Sequence, residues 1–227
     1  GSKYNSKYLG TFGDFGTYSF YYSHQITSGE GGMITCNTKE DYNLIYSLRS
    51  HGWDRGLNKS KKKNQFNFVN SGFNVRPMDL TAAIGLSQFK RLDKMMRIRS
   101  ENRNTIINRL KKSKLWKNQY TFFYPNKNVT PSWFGLPIII NNLNKEKKEK
   151  FMNYLNSSGV ETRPILSGNF LNQPSAKLYK LNNGNIKFNN SQMIEDTGFF
   201  IGLPTEKIVD ENLDHLTSKL MDIDKFQ

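Results

Sequence analysis

The feature that most constrains the fold is an apolar stripe at helical spacing between residues 80 and 110. Eight apolar residues share about one helical face along this stretch: Leu80, Ala83, Ile84, Phe89, Leu92, Met96, Ile106 and Leu110. Pro77 suits the start of a helix, and Asp79 suits its first turn. The pattern predicts one helix of about thirty residues. This helix is longer than a small compact domain usually contains, so we expect it to connect two subdomains.

Beyond the stripe, the periodicity changes to alternating strand and helix patterns. Segments 133–140 and 160–165 predict strands. Between them, Asn144 predicts the N-cap of a helix, and residues 210–223 predict a terminal helix with leucines on one side. This succession indicates an α+β module. We therefore expect the boundary between the two subdomains near residue 98.

The N-terminal part carries fewer signals of regular structure. Residues 31–36 predict a short buried strand. Thr38 with Asp41 predicts a capping box for a helix that stops at Gly52. Because residues 1–76 hold few strand patterns for a free-standing domain, we expect this chain to be the C-terminal portion of a longer protein.

Composition excludes several kinds of site. Cys36 is the single cysteine, which excludes an internal disulfide and any cysteine-built iron–sulfur or zinc site in this segment. No apolar run reaches the roughly 18 residues of a membrane span, and no signal-peptide pattern opens the chain, so a cytoplasmic protein is expected. The net charge of +14 comes mainly from scattered lysines among asparagines. That distribution favours an anionic small molecule over nucleic acid as the binding partner.

Five blocks of sequence carry a family resemblance, in order along the chain: "SFYYSHQITSGEGG" (19–32), "LRSHGWDR" (48–55), "GFNVRPMDLTAAIGLSQFKRLD" (72–93), "SWFGLPI" (132–138) and "RPILSGNFLNQP" (163–174). They resemble the DegT/DnrJ/EryC1/StrS sugar aminotransferases, a family of fold type I pyridoxal-phosphate enzymes. The last two blocks resemble its nucleotide-sugar 3-dehydratase branch in particular. The resemblance covers essentially the whole chain.

His24 occupies the position at which the family has the lysine that anchors the cofactor covalently. An imidazole cannot form that anchor, so the resemblance implies a noncovalently held pyridoxal 5′-phosphate or pyridoxamine 5′-phosphate, re-aminated by L-glutamate. A histidine can take and give protons near neutral pH, which makes His24 the implied general base and acid. The implied reaction removes the 3-hydroxyl of a nucleotide-linked 4-keto-6-deoxyhexose in deoxysugar and lipopolysaccharide O-antigen biosynthesis.

The iron–sulfur group of this branch carries cluster cysteines between the active-site loop and the "GFN" block. This chain has none there, which leaves the group in which hydrolysis releases ammonia and a 3-deoxy sugar. The family's carboxylate partner for the pyridine nitrogen lies upstream of its active-site loop, a position that Asp14 does not match. We therefore expect the segment alone to be an incomplete catalyst.

Further site residues follow from the same resemblance. The implied cofactor contacts are Ser19, Asn74 and His51, and the implied substrate contacts are Arg76, Arg55 and Asn169. The two arginines suit oxyanions because their planar guanidinium groups bind them in a bidentate way. Asn74 aligns with a residue that reaches the partner subunit's cofactor, which implies a homodimer with shared active sites.

The implied fold is α/β, the aspartate aminotransferase-like fold type I. Residues 1–98 would form the C-terminal part of the cofactor-binding large domain, and residues 99–227 the small α+β domain. Two other functions stay open: a nucleotide-sugar aminotransferase of the same family, and a noncatalytic basic binding protein. Three residues also have plain structural interpretations: His24 as a polar loop residue, His51 as a charge near a helix C-terminus, and Arg55 as a solvated surface charge.

Overall fold

The computed structural model describes residues 1–57, 66–181 and 186–226. The chain divides into two compact units. Unit 1 comprises Gly1–Asp93 and Lys127–Pro131, and unit 2 comprises Lys94–Asn126 and Ser132–Gln227. Among the described residues, no helix has both the length and the apolar character needed to cross a bilayer.

The described residues of unit 1 form two small antiparallel sheets and two helices. Their elements are β1 (Lys3–Tyr4), β2 (Lys7–Tyr8), β3 (Phe15–Ser19), β4 (Gly32–Cys36), α1 (Lys39–Leu48), α2 (Asp79–Phe89) and β6 (Val129–Thr130). One sheet has the order β2-β1-β6, and the other is the hairpin β3-β4. The hairpin pairs Phe15 with Cys36 at one end and Ser19 with Gly32 at the other. The residues between Ser19 and Gly32 therefore form a loop whose two ends are fixed opposite each other.

Unit 2 is built on a four-stranded antiparallel sheet with the order β5-β7-β9-β8. Its elements are α3 (Leu92–Lys112), which starts at the end of unit 1, β5 (Tyr120–Phe122), β7 (Gly135–Ile140), α4 (Lys145–Ser157), β8 (Thr162–Pro164), α5 (Pro174–Leu178), α6 (Asn189–Thr197), β9 (Gly198–Gly202) and α7 (Asp210–Met221). The central pair β7-β9 places Ile138 opposite Phe199, and both side chains are fully buried. β-Branched and aromatic residues pack well on such a pleated surface.

The core of unit 2 lies between this sheet and the inner faces of α3, α4 and α7. Buried members from the helices include Ile106, Leu110, Phe151, Leu155, Leu213 and Leu220. α4 begins where expected, because the Asn144 side chain accepts a hydrogen bond from the Lys147 N–H at 2.9 Å. The expected leucine face of the terminal helix is confirmed by the burial of Leu213 and Leu220.

The prediction of one long helix over residues 80–110 was wrong. The structure has two helices, and the break falls at Lys90 and Arg91. There the Arg91 N–H donates to the Gln88 carbonyl at 2.9 Å, an i to i−3 bond that tightens the turn and ends α2. None of the residues of α2, all of which are described, is buried. Its apolar face therefore does not form part of the core that this chain builds.

The strand β4 confirms the prediction for residues 31–36, but its expected burial was wrong. Met33 is 45% exposed and Ile34 is 50% exposed. The predicted N-cap at Thr38 is confirmed, because the Asp41 N–H donates to Thr38 Oγ1 at 3.1 Å and opens α1. The Asp41 carboxylate accepts from the Thr38 hydroxyl at 2.7 Å instead of from the main-chain N–H that a capping box uses, and the helix ends at Leu48, before the expected Gly52. An apolar run thus identified the strand, but it did not reveal what covers the strand's faces.

Candidate functional site

The loop between β3 and β4 is closed by its own backbone. The Phe20 N–H donates to the Gly31 carbonyl at 2.8 Å, and the Ser28 N–H donates to the Phe20 carbonyl at 2.9 Å. Ser28 is only 5% exposed, and its hydroxyl donates to the Glu30 carbonyl at 2.8 Å. These bonds extend the hairpin ladder beyond β3 and give the residues in between a defined conformation.

His24 lies in this loop against the end of β3. Its Nδ1 atom is 2.8 Å from the Ser19 hydroxyl oxygen. Its backbone N–H donates to the Tyr21 carbonyl at 3.0 Å, and its ring meets the Tyr21 ring edge-on with a centroid separation of 5.8 Å. The Tyr21 N–H also donates to the Ser19 oxygen, at 3.3 Å. The imidazole is therefore held by a hydroxyl, a main-chain turn and an aromatic ring.

Tyr21 is a contributor to this arrangement that the sequence analysis missed. A signal was available, because an aromatic residue three positions before a histidine can contact it when the backbone between them forms a turn. The bond from the His24 N–H to the Tyr21 carbonyl is such a turn.

His51 and Asn74 lie on neighbouring segments after α1. The Phe73 N–H donates to the Leu48 carbonyl at 2.6 Å, and the His51 N–H donates to the Phe73 carbonyl at 2.7 Å. Asn74 stands opposite Ser50 in an antiparallel bridge. The structure thus brings His51 and Asn74 together, although they are 23 residues apart in the sequence.

Gly52 packs directly against the backbone of the second segment. Its φ angle is 77°, and a Cβ atom added to it would lie 1.7 Å from the Asn70 carbonyl oxygen. The Val69 N–H donates to the Gly52 carbonyl at 2.8 Å. A side chain at this position would therefore force the segment that leads to Asn74 away from His51.

We expect the Gly52→Ala variant to lose more stability than the matched Gly29→Ala variant. Both glycines have φ near 80°, but nothing lies within 4 Å of an added Cβ at Gly29. Gly29→Ala therefore costs only backbone strain of about 1–3 kcal/mol, whereas Gly52→Ala adds a clash with main-chain atoms. Denaturant unfolding of both variants measures the difference. Equal losses of unfolding free energy would contradict the close approach at Gly52.

The two arginines predicted to bind anions are both exposed. The Arg55 guanidinium lies over the Trp53 ring at 4.9 Å from its centroid, and Trp53 stacks on Phe66 at 4.8 Å. Such a contact orients the guanidinium plane while its N–H groups remain on the surface. Arg76 follows directly after Val75, whose N–H donates to the Arg49 carbonyl at 3.0 Å. This bond fixes the backbone of the residue that precedes Arg76.

Asn169 belongs to unit 2, and its side chain is engaged within that unit. Its Oδ1 accepts from the Leu171 N–H at 3.3 Å, and its Nδ2 donates to Gln192 at 3.0 Å. Its own N–H donates to Glu195 at 3.1 Å. Sequence reasoning missed Gln192 and Glu195 because nothing in their spacing connects them to residue 169.

Glu195 is the centre of this second network. It accepts a hydrogen bond from Asn172 at 2.7 Å and pairs with Lys145 at 3.1 Å. The hydrogen bond from Asn172, together with the bond and charge of Lys145, holds the pKa of Glu195 below its usual range. The carboxylate is therefore stabilised in its charged form, in which it fixes the turn that carries Asn169.

Comparisons with known proteins identify the family of this chain. The family model described as the DegT/DnrJ/EryC1/StrS aminotransferase family matches residues 1–220. GDP-4-keto-6-deoxy-D-mannose 3-dehydratase of Escherichia coli O55:H7 is 32% identical over 97% of this chain and 58% of its own length. A mutant form of GDP-4-keto-6-deoxymannose-3-dehydratase with bound GDP-perosamine superposes with a TM-score of 0.81, at 32% identity over 97% of this chain and 58% of that one.

A second solved structure of that dehydratase holds a trapped PLP-glutamate geminal diamine. Its TM-score is 0.80, at 31% identity over 97% of this chain and 58% of that one. These likenesses confirm the expected fold type I. The chain spans 58% of the length of the E. coli relative.

Proposed function

Because the chain belongs to the DegT/DnrJ/EryC1/StrS aminotransferase family, we propose that its β3-β4 loop serves a pyridoxamine-phosphate-dependent 3-dehydratase. The substrate is a nucleotide-linked 4-keto-6-deoxyhexose, and L-glutamate is the amino donor. In the net reaction the sugar loses its 3-hydroxyl oxygen, and glutamate becomes 2-oxoglutarate and ammonia. Glutamate thereby supplies the two electrons that the deoxygenation requires.

The observation that carries this proposal is the imidazole of His24, held 2.8 Å from the Ser19 hydroxyl in the hairpin loop. A lysine in this place would bind the cofactor covalently. An imidazole can move protons and release the cofactor after each turnover. The names of the relative and of the two solved structures support the same reaction, cofactor and donor.

The residues at the end of β3 fit a cofactor phosphate. Ser19 is exposed, and a hydroxyl beside an imidazole can donate to a phosphate dianion. When bound, pyridoxamine phosphate supplies a primary amine and a conjugated ring that acts as an electron sink. Ser19 would hold the phosphate, and His51 and Asn74 would contribute further cofactor contacts, with Asn74 reaching the partner copy in a homodimer.

In this proposal His24 moves protons at two atoms. Its Nε2 nitrogen takes a proton from the C4′ carbon of the cofactor and gives one to the 3-hydroxyl oxygen, which leaves as water. Arg55 and Arg76 bind the pyrophosphate of the nucleotide sugar or the carboxylate of glutamate. Asn169 contacts the substrate, and Glu195 fixes the turn that carries Asn169.

The chain contributes to two domains of the proposed enzyme. Residues 1–98 belong to the cofactor-binding large domain of the enzyme, and residues 99–227 form its small domain. The cytoplasm is the proposed compartment, because both the cofactor and nucleotide sugars are cytoplasmic metabolites in this chemistry.

Product analysis with the intact protein tests the proposal. With GDP-4-keto-6-deoxy-D-mannose, pyridoxamine phosphate and L-glutamate, we expect ammonia and a sugar product that lacks one oxygen atom. A 4-amino sugar would instead establish an aminotransferase. Absence of both products, together with steeply salt-dependent oligonucleotide binding, would identify a noncatalytic basic protein.

A further inference from the structure

We propose that Ser19 is a positioning residue that sets which nitrogen of His24 carries the proton. When the Ser19 hydroxyl donates to the cofactor phosphate, it must accept from Nδ1–H of His24, which leaves Nε2 as the base. This inference rests on the proposed function, because it takes Ser19 as the phosphate ligand.

The argument starts from the hydrogen-bonding capacity of one hydroxyl. A serine has a single O–H donor and two lone pairs. One lone pair of Ser19 accepts the Tyr21 N–H at 3.3 Å, and the His24 Nδ1 atom lies at 2.8 Å. Two arrangements fit these contacts. Either Ser19 donates to Nδ1, or Nδ1–H donates to the second lone pair of Ser19.

A bound phosphate decides between these arrangements. A phosphate dianion offers only acceptors, so it takes the single O–H of Ser19. Nδ1 must then be the donor to Ser19, and the neutral imidazole has its lone pair on Nε2. Without the phosphate, the O–H is available to Nδ1, and Nε2 carries the proton. Binding of the cofactor thus switches His24 into the form that can remove a proton.

Neighbouring contacts keep the side chains of Ser19 and His24 within hydrogen-bond distance during this switch. Ser19 is the last residue of β3 and is paired with Gly32 of β4. The bond from the His24 N–H to the Tyr21 carbonyl and the edge-on Tyr21 ring hold the imidazole from the other side. The hydrogen bond between Ser19 and Nδ1 can therefore reverse its direction without either side chain moving.

Nitrogen-15 NMR of the histidine side chains tests this proposal directly. The His24 signals are assigned by comparison with the His24→Asn variant. We measure the intact protein at about pH 8.5, where imidazoles are neutral, with pyridoxamine phosphate or with pyridoxamine, which lacks the phosphate. The Nδ1–H form should predominate with pyridoxamine phosphate, and the Nε2–H form with saturating pyridoxamine.

Three variants separate positioning from folding. Ser19→Ala should lose the predominance of the Nδ1–H form and lower kcat by about 10- to 100-fold. This is less than the about 10²- to 10⁴-fold contribution of a general acid–base residue, because the imidazole itself remains. Ser19→Thr keeps the hydroxyl and should restore both. Thr17→Val removes a hydroxyl two residues earlier in β3 and should change neither.

Two results would overturn the inference: the Nε2–H form predominating in the wild type with pyridoxamine phosphate bound, or an unchanged tautomer in Ser19→Ala. The wild-type comparison of the two ligands does not use Ser19→Ala, so it decides the matter even if that variant fails to fold. Failure of the proposed function looks different, since the wild type would then form no deoxygenated product, whether or not it binds pyridoxamine phosphate.

Discussion

Replacing His24 with asparagine is expected to lower the rate of 3-dehydration by about 10²- to 10⁴-fold, the usual contribution of a general acid–base residue. Asparagine can keep a hydrogen bond to Ser19, so the loop should retain its conformation, but an amide does not move protons at neutral pH. Binding of pyridoxamine phosphate should persist, because the proposed contacts are noncovalent. Single-turnover kinetics with preloaded protein measure the chemical step, and a titration measures the binding.

His215→Asn is the matched control for that experiment. His215 lies in α7, and its Nε2–H donates to the carbonyl of Ser158 at the end of α4 at 2.8 Å. The exchange removes one hydrogen bond, worth about 1 kcal/mol of stability, and should leave the rate unchanged. An unchanged dehydration rate in His24→Asn would contradict the assignment of His24. An equal loss of rate in both variants would indicate that the exchanges impair folding and not the chemical step.

Leu155→Ala in α4 is expected to destabilise the protein by about 2–5 kcal/mol. The Leu155 side chain is fully buried in the core of unit 2, one helical turn after Phe151, which is also fully buried. Truncation removes three carbon atoms from a close-packed interior and leaves a cavity that the surrounding strands cannot fill completely. Chemical denaturation followed by circular dichroism gives the change in unfolding free energy.

Leu178→Ala provides the same exchange at an exposed helical position. Leu178 ends α5 in the same unit and is 74% exposed, so its truncation should change the unfolding free energy by no more than about 0.5 kcal/mol. Comparable losses at both leucines would mean that unit 2 is not packed around α4 as described.

Local chemistry explains why parts of unit 2 were predictable. Asn144 caps α4 through a bond to the Lys147 N–H, and Thr38 caps α1 in unit 1 in the same way. A cap involves residues three positions apart, so the sequence contains the whole interaction. The buried strand β7 was predictable because its run of isoleucines is typical of a strand covered on both faces.

The break between α2 and α3 could not be predicted from the same kind of signal. Lys90 and Arg91 are ordinary helix formers, and the apolar spacing continues across them. The break rests on a single i to i−3 bond between Arg91 and Gln88. A periodic pattern reports which residues share a face, but it does not report whether two residues within it close a tighter turn.

By itself, the sequence determined the family, the capped helices α1 and α4, the strands β7 and β8 of unit 2 and the presence of a histidine in the lysine position of the loop. These features depend on residue identity and on contacts between near neighbours. Only the tertiary structure decided that Ser19 lies at Nδ1 of His24, that Tyr21 borders the ring, and that Asn74 pairs with Ser50. Those contacts depend on how β3 and the chain after α1 turn back on themselves, which is set by main-chain bonds that many sequences could make.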